Sequence, residues 1–186
     1  DNCICYDIGC SSASFLNKLS KFTNKDKVKF YGIEINKDMY NFAVKKLKRS
    51  KVKNIKLYNK DIVKYKMLKS NLILSYYTLQ FIHPSLRQNV YNKIYKSLNW
   101  GGAFIIFEKV RGNDARFDNI LNALYFDFKE KKKFTSKEII DKSKSIRGVL
   151  EPFTDIGNLG YLKRAGFSDI QPIFQYLCFK GYLCIK

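Results

Sequence analysis

Residues 6–16, YDIGCSSASFL, place an acid, a lone glycine and small polar residues where an apolar, strand-like run gives way to a helix. Such a loop lets backbone approach a nucleotide-type ligand. Gly9 has no side chain to hold it off, and Cys10, Ser11 and Ser12 offer amides and hydroxyls at the helix start. One glycine is less than a full G-x-G-x-x-G fingerprint, and an ordinary strand-to-helix turn has the same make-up. Glu34 closes the next apolar run 25 residues after Gly9, near the spacing at which a carboxylate accepts from both ribose hydroxyls. The plainer alternative is a surface glutamate beside a helix start. Asp61-Ile62 follows a third apolar run: the acid can accept from an adenine amino group and the isoleucine can cover the ring, or the acid simply caps a helix. The fourth run ends in SYYTLQFIHP, residues 75–84, followed by Arg87. Tyr76, Tyr77 and His83 are the candidate proton acceptors by proximity, although His83 before a proline also suits a turn.

The elements that must hold these residues follow from hydrophobic pattern. Strands are expected at 3–8, 28–35, 55–58, 72–76 and 103–108, short continuous apolar runs of the kind buried in a parallel sheet. Between them lie helical segments at about 12–21, with Phe15, Leu16 and Leu19 on one face, and from 36–38 onward, with Met39, Phe42, Ala43 and Leu47 inward. A helix over about 85–98 is expected to stop at Asn99-Trp100-Gly101-Gly102, where glycine provides the left-handed residue. Residues 111–150 read as a charged helical insertion. A helix over about 156–165 ends at Gly166, and two closing strands, 169–174 and 177–185, form an antiparallel pair because so few residues connect them. The expected fold is α/β: a Rossmann-like, mostly parallel seven-stranded sheet with helices on both faces and a C-terminal antiparallel hairpin, in one domain over 1–186. In such sheets ligands bind at the carboxyl ends of the strands, where all the candidates fall.

Composition narrows the classes. The chain has 186 residues, 46% of them hydrophobic and 16% aromatic, enough apolar material for a sizeable core and too much for a disordered chain. Lys and Arg outnumber Asp and Glu by 35 to 16, a formal charge of +19. The excess is lysine spread along the chain among many Asn, Ile, Tyr and Phe, a bias an AT-rich genome produces whatever the function. A solvated basic surface is the first reading, and a dedicated RNA-binding face stays open. Cys3, Cys5, Cys10, Cys178 and Cys184 sit in apolar surroundings and read as buried thiols of a reducing cytoplasm. No metal site is expected, since Cys3-x-Cys5 is not zinc spacing and the one histidine, His83, is distant in sequence. No run suits a membrane span and no signal-peptide layout is seen, so no membrane association is expected.

YDIGCSS at 6–12, Asp61-Ile62, YTLQFI at 77–82, Pro84-x-x-Arg87, IYKSLNWGGAFIIFEKV at 94–110 and LKRAGF at 162–167 together resemble the carboxy-S-adenosyl-L-methionine synthase family. TLQFI followed by GG-x-x-x-x-x-EK is the specific part, and the resemblance runs from about Cys5 to the C-terminus. It implies a class I methyltransferase fold, and conversion of S-adenosyl-L-methionine and prephenate into carboxy-S-adenosyl-L-methionine and phenylpyruvate. The product serves wobble-uridine modification in tRNA. It further implies a homodimer, for which the apolar side of residues 117–128 offers a face, or else that face packs on its own sheet. Carried over by position, the cofactor contacts fall on Gly9, Cys10 and Ser11 for the methionine part, Glu34 and Ile35 for the ribose, Asp61 and Ile62 for the adenine, and Tyr76 where relatives carry asparagine.

Departures accompany the match. Relatives have Asp-Asn where this chain has Glu34-Ile35, and His where it has Phe126. Their Lys-Arg, whose arginine grips the added carboxylate, aligns with Lys142-Ser143, and a serine cannot supply that bidentate grip. Lys142, Lys144 and Arg147 stand nearby as substitutes. Set against relatives, the chain begins almost at the first strand, so the N-terminal segment that closes over their cofactor is expected to be missing. The residues therefore leave three activities open: the synthase reaction, an ordinary methyl transfer, or a binding module on the same fold. No catalytic base is assigned.

Overall fold

A computed structural model describes residues 3–24, 27–50 and 52–186. Strands β1 (Cys3–Ile8), β2 (Val28–Glu34), β3 (Ile55–Asn59), β4 (Ser70–Tyr76), β5 (Leu98–Lys109), β6 (Asp169–Tyr176) and β7 (Phe179–Ile185) form one seven-stranded sheet. Its order is β3-β2-β1-β4-β5-β7-β6. The first five strands are mutually parallel, and β7 runs antiparallel to both β5 and β6. This is the expected fold, with chain order reversing between β1 and β4, the position at which doubly wound sheets open a crevice.

The parallel strands are apolar on both sides because both sides are covered. Helices α3 (Pro84–Ser97) and α6 (Asp155–Ala165) pack over Tyr6, Ile8, Ile33, Ile73 and Phe104 on one face. Helices α1 (Ser14–Leu19) and α2 (Lys37–Arg49) cover Cys5, Phe30, Leu57 and Leu74 on the other, through Leu16, Ala43 and Leu47. Local chemistry fixes where helices begin. Asn36 accepts from Met39 N at 2.9 Å to start α2, His83 caps α3 with Pro84 in its first turn, and Thr154 caps α6, which Gly166 ends at φ +116°. Residues 111–150 carry α4 (Ala115–Lys131) and α5 (Ser136–Ser145), the latter opened by a Thr135–Glu138 capping box.

Several expectations change. Helix α1 has six residues, because Ser11 and Ala13 take positive φ and the helix cannot begin before Ser14. Phe15 and Phe42 point outward, 55% and 56% exposed, so the inward stripes rest on Leu16, Ala43 and Leu47. The Gly101 stop belongs to a strand instead. Helix α3 ends at Ser97, Leu98 is already extended, and β5 follows at once. Gly101, at φ +71°, lies where Ser70 pairs with Leu98 but Leu72 pairs with Ala103, so its left-handed backbone absorbs the extra residues of a bulge. Cys3 is exposed at the outer end of β1, whereas Cys5, Cys10, Cys178 and Cys184 are buried. The apolar side of α4 is divided. Tyr125 and Phe128 meet Phe179 and Tyr176 at 5.1 and 5.5 Å between ring centres, while Phe117, Ile120 and Leu124 stay exposed.

Candidate functional site

The loop leaving β1 is held in a shape few residues accept. Gly9, Ser11 and Ala13 have φ of 74°, 49° and 53°, and Tyr77, just past β4, has 56°. For Tyr77 this is costly backbone, of the sort that persists where a site needs it. A Cβ on Gly9 would meet Thr78 Oγ1 at 2.2 Å, so glycine is what lets the β1 and β4 loops touch. The amides of Gly9 and Cys10 both donate to Ile33 O, and Ser11 N donates to Glu34 Oε2 at 2.8 Å. Glu34 Oε1 accepts from Asn36 N at 2.8 Å. The Cys10 and Ser11 amides expected to face a ligand therefore brace the loop, and Glu34, 8% exposed, ties that loop to the start of α2. Cys10 fits because Gly32 beneath it has no side chain: a Cβ there would lie 2.7 Å from Cys10 Sγ.

Two cavities meet at Gly9, one on each side of the sheet edge. The first, about 260 Å³, is lined by Ile8, Gly9, Ile33, Ile35, Asp61, Ile62, Phe81, Ile82 and Leu86 among others. Asp61 Oδ1 accepts from Val63 N at 2.8 Å and caps a turn over 61–65, not a helix, which leaves its second oxygen unengaged. Lys93 fixes this rim by donating to Ile62 O, Val63 O and Tyr65 O at 2.7 to 3.0 Å. The second cavity, about 700 Å³, is lined by Asp7, Gly9, Cys10, Ser11, Phe15, Tyr76, Ile105 and Phe107 among others. Of the eight residues expected at the cofactor, Gly9, Ile35, Asp61 and Ile62 share the first cavity, and Gly9, Cys10, Ser11 and Tyr76 share the second. Glu34 lines neither, although its carboxylate touches the loop that does.

Asp7 was not among them. It is 4% exposed at the floor of the second cavity. Burial first, and the Glu34 charge second, push its carboxyl up to about 7. No described residue donates a hydrogen bond to it. A ligand carrying a cationic group would hold it ionised and offset that cost. An acid inside an otherwise apolar buried strand is the sequence signal that marks it. An elongated ligand with a flat apolar end and a cationic end suits the two cavities together. His83 Nδ1 accepts from Ser85 N at 3.3 Å and acts as a helix cap. Burial drives the Tyr77 hydroxyl well above its ordinary value, which removes it as a base near neutrality.

The distinctive TLQFI and EK segments form a bracket between β4 and β5. Gln80 Oε1 accepts from Lys109 N at 2.8 Å, and the amides of Leu79 and Gln80 lie where they favour the charge of the buried Glu108, whose Oε1 has no partner among the described residues. Arg87, 3% exposed, donates to Ile82 O and Gln80 O at 2.7 and 2.8 Å. This bracket presents Tyr77, Phe81 and Lys109 to a third cavity of about 520 Å³, which also takes Tyr125, Lys129, Lys142 and Ser143 from α4 and α5. Phe81 lines both this cavity and the first. The rule of searching strand ends would have reached Lys109 had it been carried to the fifth strand. Nothing in the local sequence singled out Lys129. Among the described residues no cluster of His, Cys, Asp and Glu could hold a metal, and no helix is long and apolar enough to cross a membrane.

Comparison with known proteins gives concordant results. A family model described as a methyltransferase domain matches residues 1–166. A carboxy-S-adenosyl-L-methionine synthase of Staphylococcus epidermidis is 36% identical over 186 residues, covering 100% of this chain and 80% of that protein. One from Sulfurimonas denitrificans is 34% identical over 183 residues, covering 98% and 77%. Among solved structures, Haemonchus contortus phosphoethanolamine N-methyltransferase 2, in complex with S-adenosyl-L-methionine, superposes with a TM-score of 0.73 at 12% identity, covering 100% of this chain and 49% of that one. An S-adenosylmethionine-dependent methyltransferase from Aquifex aeolicus gives 0.68 at 13% identity, covering 98% and 81%. At such identities these two report the fold.

Proposed function

The chain belongs to the carboxy-S-adenosyl-L-methionine synthase family, and on that premise we propose that it is an S-adenosyl-L-methionine-dependent transferase that moves a carboxyl group from prephenate to the cofactor's methyl carbon. The products are carboxy-S-adenosyl-L-methionine and phenylpyruvate, the former destined for wobble-uridine modification of tRNA. In balance, the methyl proton and the ring hydroxyl of prephenate leave as water. The observation that carries the reading is the pair of cavities joined at Gly9 and floored by Asp7, next to a third, lysine-lined one.

S-adenosyl-L-methionine fits the residues present. The apolar slot of Ile33, Ile35, Ile62 and Leu86 suits the adenine, with Asp61 to accept from its amino group. Asp7 suits the amino group of the methionine end, in the cavity lined by Gly9, Cys10, Ser11 and Tyr76. Glu34, held by Ser11 N and Asn36 N, has one further lone pair on each oxygen for ribose hydroxyls. When bound, the cofactor supplies a sulfonium whose charge makes the adjacent methyl group acidic. What the protein then does is mostly positioning: the fixed loops 9–13 and 77–82 set the two reactants side by side, and the aromatic walls of Tyr76, Tyr77 and Phe107 exclude water between them.

Incubating the protein with S-adenosyl-L-methionine and prephenate, then following phenylpyruvate by absorbance and the cofactor by mass spectrometry, tests the reading. Formation of both products supports it, and their absence with correctly folded protein refutes it. Ser143 in place of the arginine of relatives favours a second reading, ordinary methyl transfer, under which S-adenosyl-L-homocysteine is the product instead. We further propose that two copies associate through the exposed Phe117, Ile120 and Leu124 of α4, and that the protein works in the cytoplasm, in keeping with its free thiols.

A further inference from the structure

The third cavity collects positive charge with nothing opposite it. Lys109 arrives from the end of β5, Lys129 from α4 and Lys142 from α5, and no acid lines the space. The ammonium groups of Lys109 and Lys129 lie 5.3 and 4.2 Å from the same ring, that of Tyr125. Asp118, the nearby acid on α4, has its oxygens engaged by Gly112 N and Asn122 Nδ2 at 2.9 and 3.2 Å. Among the described residues the recorded ion pair, Lys180–Asp155, involves none of the three lysines. Lys109 and Lys129 are half-buried, so their mutual repulsion is incompletely screened. Burial first, and then the charges of Lys109 and Lys142, lower the Lys129 ammonium below its ordinary value. Half of the remaining wall is aromatic, from Tyr77, Phe81, Tyr125, Phe126 and Phe179, and the other half is polar or aliphatic, from Gln80, Asn122, Ser143, Ile146 and Leu150.

Unpaired cations around a space rich in aromatic rings, which shares Phe81 as a wall with the first cavity, have a definite complement. We propose that Lys109, Lys129 and Lys142 form the binding site for the carboxylates of a small cyclic dicarboxylate, the second substrate, with the aromatic residues holding its ring. The three ammonium groups supply as separate point charges the anion binding that a serine at position 143 cannot. This inference rests on the proposed synthase reading and names the residues that would select its substrate.

Two measurements on the full chain keep the two claims apart: calorimetric titration of prephenate into protein saturated with S-adenosyl-L-homocysteine, and steady-state kinetics with prephenate. Lys129→Gln and Lys109→Gln are expected to weaken prephenate binding, and raise its KM where turnover occurs, by about 10- to 100-fold each. The affinity for S-adenosyl-L-homocysteine should stay unchanged, and Lys129→Arg should restore most of the loss. Lys142→Gln, at an exposed position, should show a smaller loss in the same direction, and added salt should weaken binding to the native protein. If the native protein binds prephenate without converting it and the Lys→Gln variants lose that binding, the inference stands while the synthase reading falls. Unchanged affinity and KM in the Lys→Gln variants, or no prephenate binding to the native protein, overturns it.

Discussion

Replacing Asp7 with asparagine is expected to stabilise the ligand-free protein and weaken cofactor binding together. Asp7 is 4% exposed, with its carboxyl moved from 3.8 to about 7 by burial and by the Glu34 charge. Because this acid titrates higher in the folded state, the folded protein keeps a proton that the unfolded chain releases. The penalty is therefore absent below the unfolded value, grows as pH climbs from about 4 to about 7, and is constant above that. The rise from 3.8 to about 7 caps it at about 4 kcal/mol. Asparagine keeps the shape without the charge and should recover about 2–4 kcal/mol at about pH 8, or about 5–15 °C in Tm for a chain of this length. Thermal melts of both proteins at about pH 4.5 and about pH 8 make the comparison, with the difference expected to shrink to about 1 kcal/mol at the acid end. In parallel, calorimetry should show S-adenosyl-L-methionine binding weakened about 10- to 100-fold by loss of one charge-assisted hydrogen bond. A variant that melts no higher than the native protein at about pH 8, or one whose gain is the same at both pH values, would refute the assignment of that shift to burial.

Glu108 is buried with its carboxyl raised to about 8, so the native protein should lose stability steadily from about pH 5 to about pH 8, and Glu108→Gln should flatten that slope in urea titrations. Gly9→Ala combines a left-handed backbone with a Cβ 2.2 Å from Thr78 Oγ1. It should cost about 3 kcal/mol or more, and Thr78→Gly in the same chain should recover part of this in denaturant melts. Arg87→Met leaves Gln80 O and Ile82 O without their donors, which should cost about 3 kcal/mol and speed hydrogen exchange across 79–82. Under native conditions a thiol reagent should modify Cys3 alone, because the other four cysteines are buried, with all five reacting in denaturant.

Much of this protein was legible in its residue order. Continuous apolar runs fixed β1 to β5, because a strand buried on both faces has no polar alternate. The antiparallel closing pair followed from the length of its connection, and the helix start at Asn36 came from a side chain that satisfies its own backbone, whereas the Thr154 cap, two residues ahead of the expected helix, was seen only in the fold. The candidate residues at the strand ends were legible for the same reason: a parallel sheet brings every such end to one edge. What each does there was decided only in three dimensions. The Cys10 and Ser11 amides turn inward because Ile33 O and Glu34 lie beside them, across a strand boundary that local sequence does not record. Gly101 serves a strand bulge through pairing with residues some thirty positions earlier. The lysine-lined cavity exists because β5, α4 and α5 converge: Lys142 stood out beside Ser143 and Lys109 closed the EK segment, but Lys129 looks in sequence like any other surface lysine, and the meeting of the three was not legible. Local hydrogen bonding and burial are written in neighbouring residues, whereas the meeting of charges from distant segments is a property of the folded chain alone.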